Sequence, residues 1–238
     1  MDESVIRIDS VSKSFEHRRV LKEVSLDVHG GESVFVCGIN GVGKSTLLRI
    51  ISGLLEPDAG SVRICGHDMA NDPEKAKPML GVISHKSMVY SELTVLENLR
   101  FFAGLYGVSE ARRRVDEIVE EMGLGPYRYD RAAVLSRGLL QRLSIARSLI
   151  HSPTVLLADE PFTGLDSKAC SHLVERIAGF IDASHAVVMT THDANIGLRC
   201  CGRVVVLDGG AVVFDGPTEG IDGAEFVKDY VGYARSRG

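Results

Sequence analysis

Residues 34–46 read Val34-Phe35-Val36-Cys37-Gly38-Ile39-Asn40-Gly41-Val42-Gly43-Lys44-Ser45-Thr46, and this stretch decides the fold. Its first four residues are apolar without alternation, the pattern of a short strand covered on both faces. Its end opens a predicted helix with Leu47, Ile50, Ile51 and Leu54 on one face, closed by Pro57-Asp58-Ala59-Gly60. Between strand and helix, Gly38 to Ser45 fits G-x-x-x-x-G-K-[ST]. The glycines let the backbone curl so that successive N–H groups point at phosphate oxygens. The helix adds its positive end. Lys44 then reaches the β and γ phosphates of a nucleotide, and the Ser45 hydroxyl ligates Mg²⁺. The strand before the loop and the amphipathic helix after it separate this reading from a glycine turn with a stray lysine.

The surrounding chain supplies the rest of an α/β sheet. Val5, Ile6 and Ile8, then Phe15, then Val24, Leu26 and Val28 alternate, which predicts an antiparallel sheet with one wet face. Val62 and Ile64 alternate as a further strand. From about residue 92 to 150 the spacing is helical: Val115, Ile118, Val119 and Met122, later Leu139, Leu143, Ala146 and Ile150, with breaks at Gly123, Gly125 and Pro126. Apolar strand runs return at Val155–Ala158, Ala186–Met189 and Val204–Leu207. Asp208-Gly209-Gly210 before Ala211-Val212-Val213-Phe214 signals a hairpin. The organisation is one α/β domain with a helical insertion, divided into an antiparallel β part with the first part of the core (1–84), a helical subdomain (85–150) and the second part of the core (151–238).

Two strand ends carry chemistry. Thr154-Val155-Leu156-Leu157-Ala158 runs into Asp159-Glu160. On a parallel strand beside the phosphate loop, Asp159 would hold Mg²⁺ through water and Glu160 would polarise the attacking water as general base. The strand ending in Thr190-Thr191-His192-Asp193 puts His192 within reach of a terminal phosphate. His85, at the end of Val82-Ile83-Ser84, reads on its own as a surface or capping residue.

The totals exclude several classes. The 238 residues carry a net charge of −5, so no global basic field draws the chain to nucleic acid or anionic lipid. No apolar run approaches the ~18 residues of a membrane span. The start, MDESVIRIDS, lacks the basic and apolar parts of a signal peptide. Five cysteines without C-x-x-C spacing fit a reduced cytosolic chain. The Cys200-Cys201 pair reads as burial or chance rather than as a soft-metal site.

Taken in order, these pieces resemble the ATP-binding subunit of ABC transporters, over about residues 5–216. The deciding piece is Leu135-Ser136-Arg137-Gly138-Leu139-Leu140-Gln141-Arg142, which looks like the family signature L-S-G-G-Q with Arg137 for a glycine and Leu139 for the glutamine. The resemblance implies a P-loop NTPase core, ATP and Mg²⁺ as cofactors, and ATP hydrolysis coupled to transport. It puts Phe15 on the adenine and Gly38, Asn40, Gly41, Val42, Gly43, Lys44, Ser45 and Thr46 around the phosphates. Ser136 and Gly138 reach the nucleotide of a second subunit in a head-to-tail dimer, with Asp166 in the loop joining the two sites. Ser45 and Asp159 serve the metal, while Glu160, His192 and His85 are catalytic. His85 stands where the family usually has a glutamine at the hinge of the helical subdomain. The Ser84-His85 pair and the run Glu92–Phe102 are similar to the haem-exporter ATPase of cytochrome c maturation; drug and polysaccharide exporters share part of that run, and the alternative is the ATPase of another exporter, for a drug, lipid or polysaccharide. The implied partners are integral membrane permease subunits and a second copy of the chain, with no nucleic acid, at the cytoplasmic face of the cell membrane. Met88, Val89 and Tyr90 are candidates for the permease groove. The competing classes are a soluble ABC ATPase acting on ribosomes or DNA, which would carry two ATPase domains or a coiled coil, and a P-loop kinase, which needs no Ser136-Arg137-Gly138 or His192.

Overall fold

The computed structural model describes residues 4–84, 87–163, 165, 167–229 and 232. The chain begins with strands β1 (Ile6–Phe15), β2 (Arg18–Val28) and β3 (Ser33–Cys37), then helix α1 (Lys44–Ile51), β4 (Ala59–Ile64), β5 (His67–Asp68), the short α2 (Pro73–Ala76) and β6 (Leu80–Ile83). Three helices follow, α3 (Val95–Leu105), α4 (Ala111–Glu121) and α5 (Arg137–Leu149). The chain then alternates through β7 (Val155–Asp159), α6 (Ser167–Phe180), β8 (Ala186–Thr190), α7 (Ala194–Cys200), β9 (Arg203–Asp208), β10 (Ala211–Pro217) and α8 (Gly223–Lys228).

Two sheets result. The first is antiparallel, in the order β2-β1-β4-β5. The second has the order β10-β9-β3-β8-β7-β6; its inner pairings are parallel, and β10 joins as an antiparallel edge through the Asp208–Ala211 hairpin. Two apolar cores explain the unbroken apolar runs. Val34, Val36, Val155, Leu157 and Val188 pack with α1 and the antiparallel sheet, whereas Phe35, Leu156, Ala158, Val187 and Met189 pack with the helices on the other face. Alternate residues of one strand thus serve opposite cores, so no polar face remains to break the run.

Helix α1 is shorter than its sequence predicts. Gly53, at φ +67°, turns the chain out of the helix, and the N–H of Leu54 closes back on the Arg49 carbonyl at 2.9 Å. Leu54 therefore lies outside the helix and is exposed, and Ala59-Gly60, read as part of the stop, already belongs to β4. The helical stretch after residue 92 breaks where Gly123, Gly125 and Pro126 predict it, with a short 3₁₀ turn at Gly125–Tyr127, and a second turn at Ala132–Val134 precedes α5. No helix among the described residues is long and apolar enough to cross a membrane.

Candidate functional site

The carboxyl ends of β3, β8 and β7 lie side by side, where ligands of open parallel sheets bind. Register places the polar residues. Thr190 pairs with Val36 on one side and with Asp159 on the other, so the end of each strand delivers its polar residue to one place.

The loop after β3 depends on glycine at two points. A side chain at Gly38 would meet the Leu207 carbonyl oxygen at 2.5 Å. Gly43, the residue before α1, has φ +119°, and a Cβ there would meet Leu21 at 2.7 Å. Lys44, first residue of α1, donates from Nζ to the carbonyls of Gly38 at 2.8 Å and Ile39 at 3.2 Å, so its ammonium lies over the loop. Burial pushes its pKa down, against the pull of Glu160, Cys37 and Asp159. Cys37, just below the loop, is pushed up to about 12 by burial and is a packing thiol.

Ser45 Oγ donates to Asp159 Oδ1 at 3.0 Å, and the fully buried Thr190 donates to the same oxygen at 2.7 Å. Ser45 and Asp159 are hard oxygen donors side by side, a set that fits a small divalent cation. Glu160 has φ +54°, a left-handed backbone rare for a residue with a side chain. Its N–H is held by the Thr190 carbonyl at 3.1 Å and hydroxyl at 3.2 Å. Its Oε2 accepts from the His192 N–H at 3.1 Å and lies 2.8 Å from His192 Nδ1.

Phe15, Arg18, Asn40, Lys44, Thr46 and Glu160 line one cleft of about 300 Å³, with Gly41, Gly43 and Ser45. Phe15 is about half exposed at the end of β1, with Lys13 Nζ 5.9 Å from its ring centroid. Val42 is buried, does not line this cleft, and donates its N–H to the Ile39 carbonyl at 3.3 Å within the loop. The structure does not bring Ser136 and Gly138 to this cleft. Ser136 caps α5, accepting from the Leu139 N–H at 3.3 Å, and is exposed; Gly138 opens on a separate cleft of about 200 Å³. His85 and Asp166 lie outside the described residues.

Sequence reasoning missed three contributors. Arg18 lines the cleft and reaches the Gly41 carbonyl at 3.4 Å. Thr190 ties Asp159 to Glu160, and its only signal was its place beside His192. Gln141 stood inside the signature with no role assigned; its amide donates to the Pro161 carbonyl at 3.0 Å.

The sequence pattern of the ABC transporter family matches residues 21–163, more than half of the chain. The chain belongs to that family. This ABC protein is 33% identical over 233 residues to the Nod factor export ATP-binding protein I of Paraburkholderia xenovorans (strain LB400), covering 97% of this chain and 77% of that protein. It is 30% identical over 211 residues to the linearmycin resistance ATP-binding protein LnrL of Bacillus subtilis (strain 168), covering 88% of this chain and 68% of that one. Among solved structures, a dimeric ATP-binding cassette in a post-hydrolysis state, bound to ADP and Pi, superposes with a TM-score of 0.81 at 29% identity, covering 91% of this chain and all of that chain. The protein is the ATP-binding subunit of a transporter, with an ABC ATPase fold, and an enzyme that hydrolyses ATP.

Proposed function

We propose that this ABC ATPase powers an export-type transporter, with hydrolysis carried by Glu160 at the mouth of the phosphate loop. The observation that carries this reading is the cluster at the strand ends: Ser45 on Asp159 at 3.0 Å and His192 on Glu160 at 2.8 Å, with Ser45 and Glu160 lining the same cleft as Lys44. In the proposed cycle the loop N–H groups and the α1 N-terminus hold the phosphates. Lys44 turns from the loop carbonyls to the β and γ oxygens, and Phe15 stacks on the adenine. Ser45 and Asp159 hold Mg²⁺, which neutralises phosphate charge when bound. Glu160 takes a proton from the attacking water, and His192 keeps the carboxylate aimed. Ser136 and Gly138, which sit away from the cleft, serve the nucleotide of a second copy, so a head-to-tail dimer completes two sites. His85 and Asp166 are proposed at the hinge and between the two sites, on the family resemblance alone.

Permease subunits of the membrane are the proposed partners, with the chain peripheral on the cytoplasmic face. Support comes from the exposed aromatic pair of Tyr90, in the segment between β6 and α3, and Phe101 of α3, whose ring centroids are 5.0 Å apart, with exposed Met88 two residues before Tyr90. Haem is the proposed cargo, on the likeness of Ser84-His85 and Glu92–Phe102 to the cytochrome c maturation exporter. The relatives named for Nod factor export and linearmycin resistance support export more broadly. One experiment tests both levels. Tagged Glu160→Gln is expected to bind ATP, to hydrolyse it at least about a hundredfold more slowly, and to hold its membrane partners when solubilised with ATP and Mg²⁺. Near-normal turnover would remove Glu160 from its role. Recovery of a permease unrelated to cytochrome c maturation would replace haem as the cargo, and ribosomal or DNA-bound partners alone would sink the transporter reading.

A further inference from the structure

We infer that Gln141 is a positioning residue for Glu160, through which helix α5 sets the aim of the catalytic carboxylate. The inference rests on the proposal that Glu160 is the general base. Glu160 stands at a kink: β7 ends at Asp159, and the next residue takes φ +54°. An L-residue keeps such a conformation when its neighbours fix it. Upstream, the Glu160 N–H is pinned to Thr190 at 3.1 Å and 3.2 Å. Downstream, Pro161 has no N–H to offer. That side of the kink is held through carbonyls. The Glu160 carbonyl accepts from the Thr163 N–H at 3.2 Å, and the Pro161 carbonyl accepts from Gln141 Nε2 at 3.0 Å. Pro161 is buried, and among the described residues the Gln141 amide is the donor to its carbonyl, so losing it loosens the hold on this side of the kink.

The donor comes from an informative place. Gln141 lies three residues after Gly138, so the two are neighbours on one face of α5, and both line the 200 Å³ cleft that also includes Leu165. The helix that Ser136 caps is thereby tied to the peptide after Glu160 in the same chain. A shift of α5 moves the Pro161 carbonyl, and with it the carboxylate one residue earlier. Misplacement of a reacting group by about 1 Å is enough to cost up to roughly a hundredfold in rate.

The test is steady-state ATP hydrolysis by the full chain with Mg²⁺. Gln141→Met keeps length and removes the amide; Gln141→Asn keeps the amide and shortens its reach, and serves if the first variant does not fold. The expected result is a turnover lower by about tenfold or more when measured well below Tm, with affinity for a fluorescent ATP analogue close to that of the parent and Tm lowered by a few degrees for the lost hydrogen bond. In a Glu160→Gln background the same change should leave the residual rate unaltered, because the base it positions is gone. Turnover within about twofold of the parent, beside an inactive Glu160→Gln, would overturn the tie alone. So would a loss of turnover matched by an equal fold-loss of ATP affinity, which marks a purely structural residue. Normal turnover in Glu160→Gln itself would instead overturn the assignment of the base, and with it the reason for the tie.

Discussion

The strand ends of the parallel sheet and the helices between β6 and β7 satisfy their buried polar groups in opposite ways. At the strand ends side chains satisfy one another: Thr190 donates to Asp159, Ser45 shares that oxygen, and His192 takes Glu160. In the helical segment the partner is backbone. Asn98, fully buried on α3, accepts from the Tyr90 N–H at 2.8 Å and donates to the Tyr90, Leu93 and Thr94 carbonyls at 3.0–3.2 Å. Arg147 on α5, 7% exposed, donates to the Val82 carbonyl of β6 at 2.8 Å and sits 5.7 Å from the Phe102 ring centroid, with no ion pair among the described residues. The first arrangement keeps ionisable oxygens near solvent and ready for chemistry. The second uses polar groups as fasteners between segments, which fixes position without reactivity.

If that contrast holds, removing one hydroxyl at the strand ends should hurt turnover more than removing a fastener. Thr190→Val takes the donor from Asp159 and one of two anchors from the Glu160 N–H. A cost of about 2 kcal/mol in stability is expected, equivalent to roughly 4–8 °C in Tm at this chain length. Turnover measured well below Tm should fall by about tenfold in addition, as both acids lose their alignment. Normal turnover in a folded Thr190→Val would mean that the register of the sheet alone positions Asp159 and Glu160.

Asn98→Ala should show the converse. The Tyr90 N–H loses its acceptor and three carbonyls lose a donor, so a cost of roughly 1–3 kcal/mol is expected. Basal turnover should stay within about twofold, because the partners of Asn98 among the described residues, Tyr90, Leu93 and Thr94, do not line the cleft around Lys44. Hydrogen exchange of residues 87–94 should rise ahead of the rest of the chain. A tenfold fall in basal turnover would break the distinction between fasteners and chemistry.

The same contrast separates what is legible in the sequence from what is not. The phosphate loop and Asp159-Glu160 were legible because each packs its chemistry into consecutive residues between apolar runs. The two-sided sheet was legible because Val34–Cys37 and Val155–Ala158 leave no polar face. Thr190 and Gln141 were not assigned, since their partners lie 31 and 20 residues away and only the register of β7 with β8, or the approach of α5, brings them together. The helical spacing of Leu54 places it on α1. The backbone turn at Gly53 overrides that spacing, and one glycine within an apolar pattern did not announce it.

The smallest effect belongs to the buried cation and its neighbour. His151 stacks on Tyr106 with ring centroids 3.8 Å apart, and its Nε2 lies 3.0 Å from the Leu80 carbonyl oxygen. Burial pushes its pKa below the ordinary 6.5, opposed by the bond to Leu80 and reinforced by Arg147. As pH falls, the unfolded chain takes up this proton first. The stability that neutral His151 contributes is therefore complete above about 6.5 and is lost as pH falls from there towards the folded value. The carboxylates whose pKa is lowered, Asp58, Glu97 and Asp182, begin from 3.8 to 4.5 and act at more acid pH. A Tm series from pH 7.5 to pH 5 is expected to decline in the parent and to flatten in His151→Gln. Arg147→Met should make the decline shallower, since one of the two influences that depress His151 is gone. It should leave stability at pH 7.5 equal or higher, because a buried guanidinium without a carboxylate gives up solvation that an apolar side chain does not. An Arg147→Met variant less stable by several degrees, with the pH slope intact, would show that the bond to Val82 outweighs the burial of the charge and that the fastener works by attraction rather than by shape.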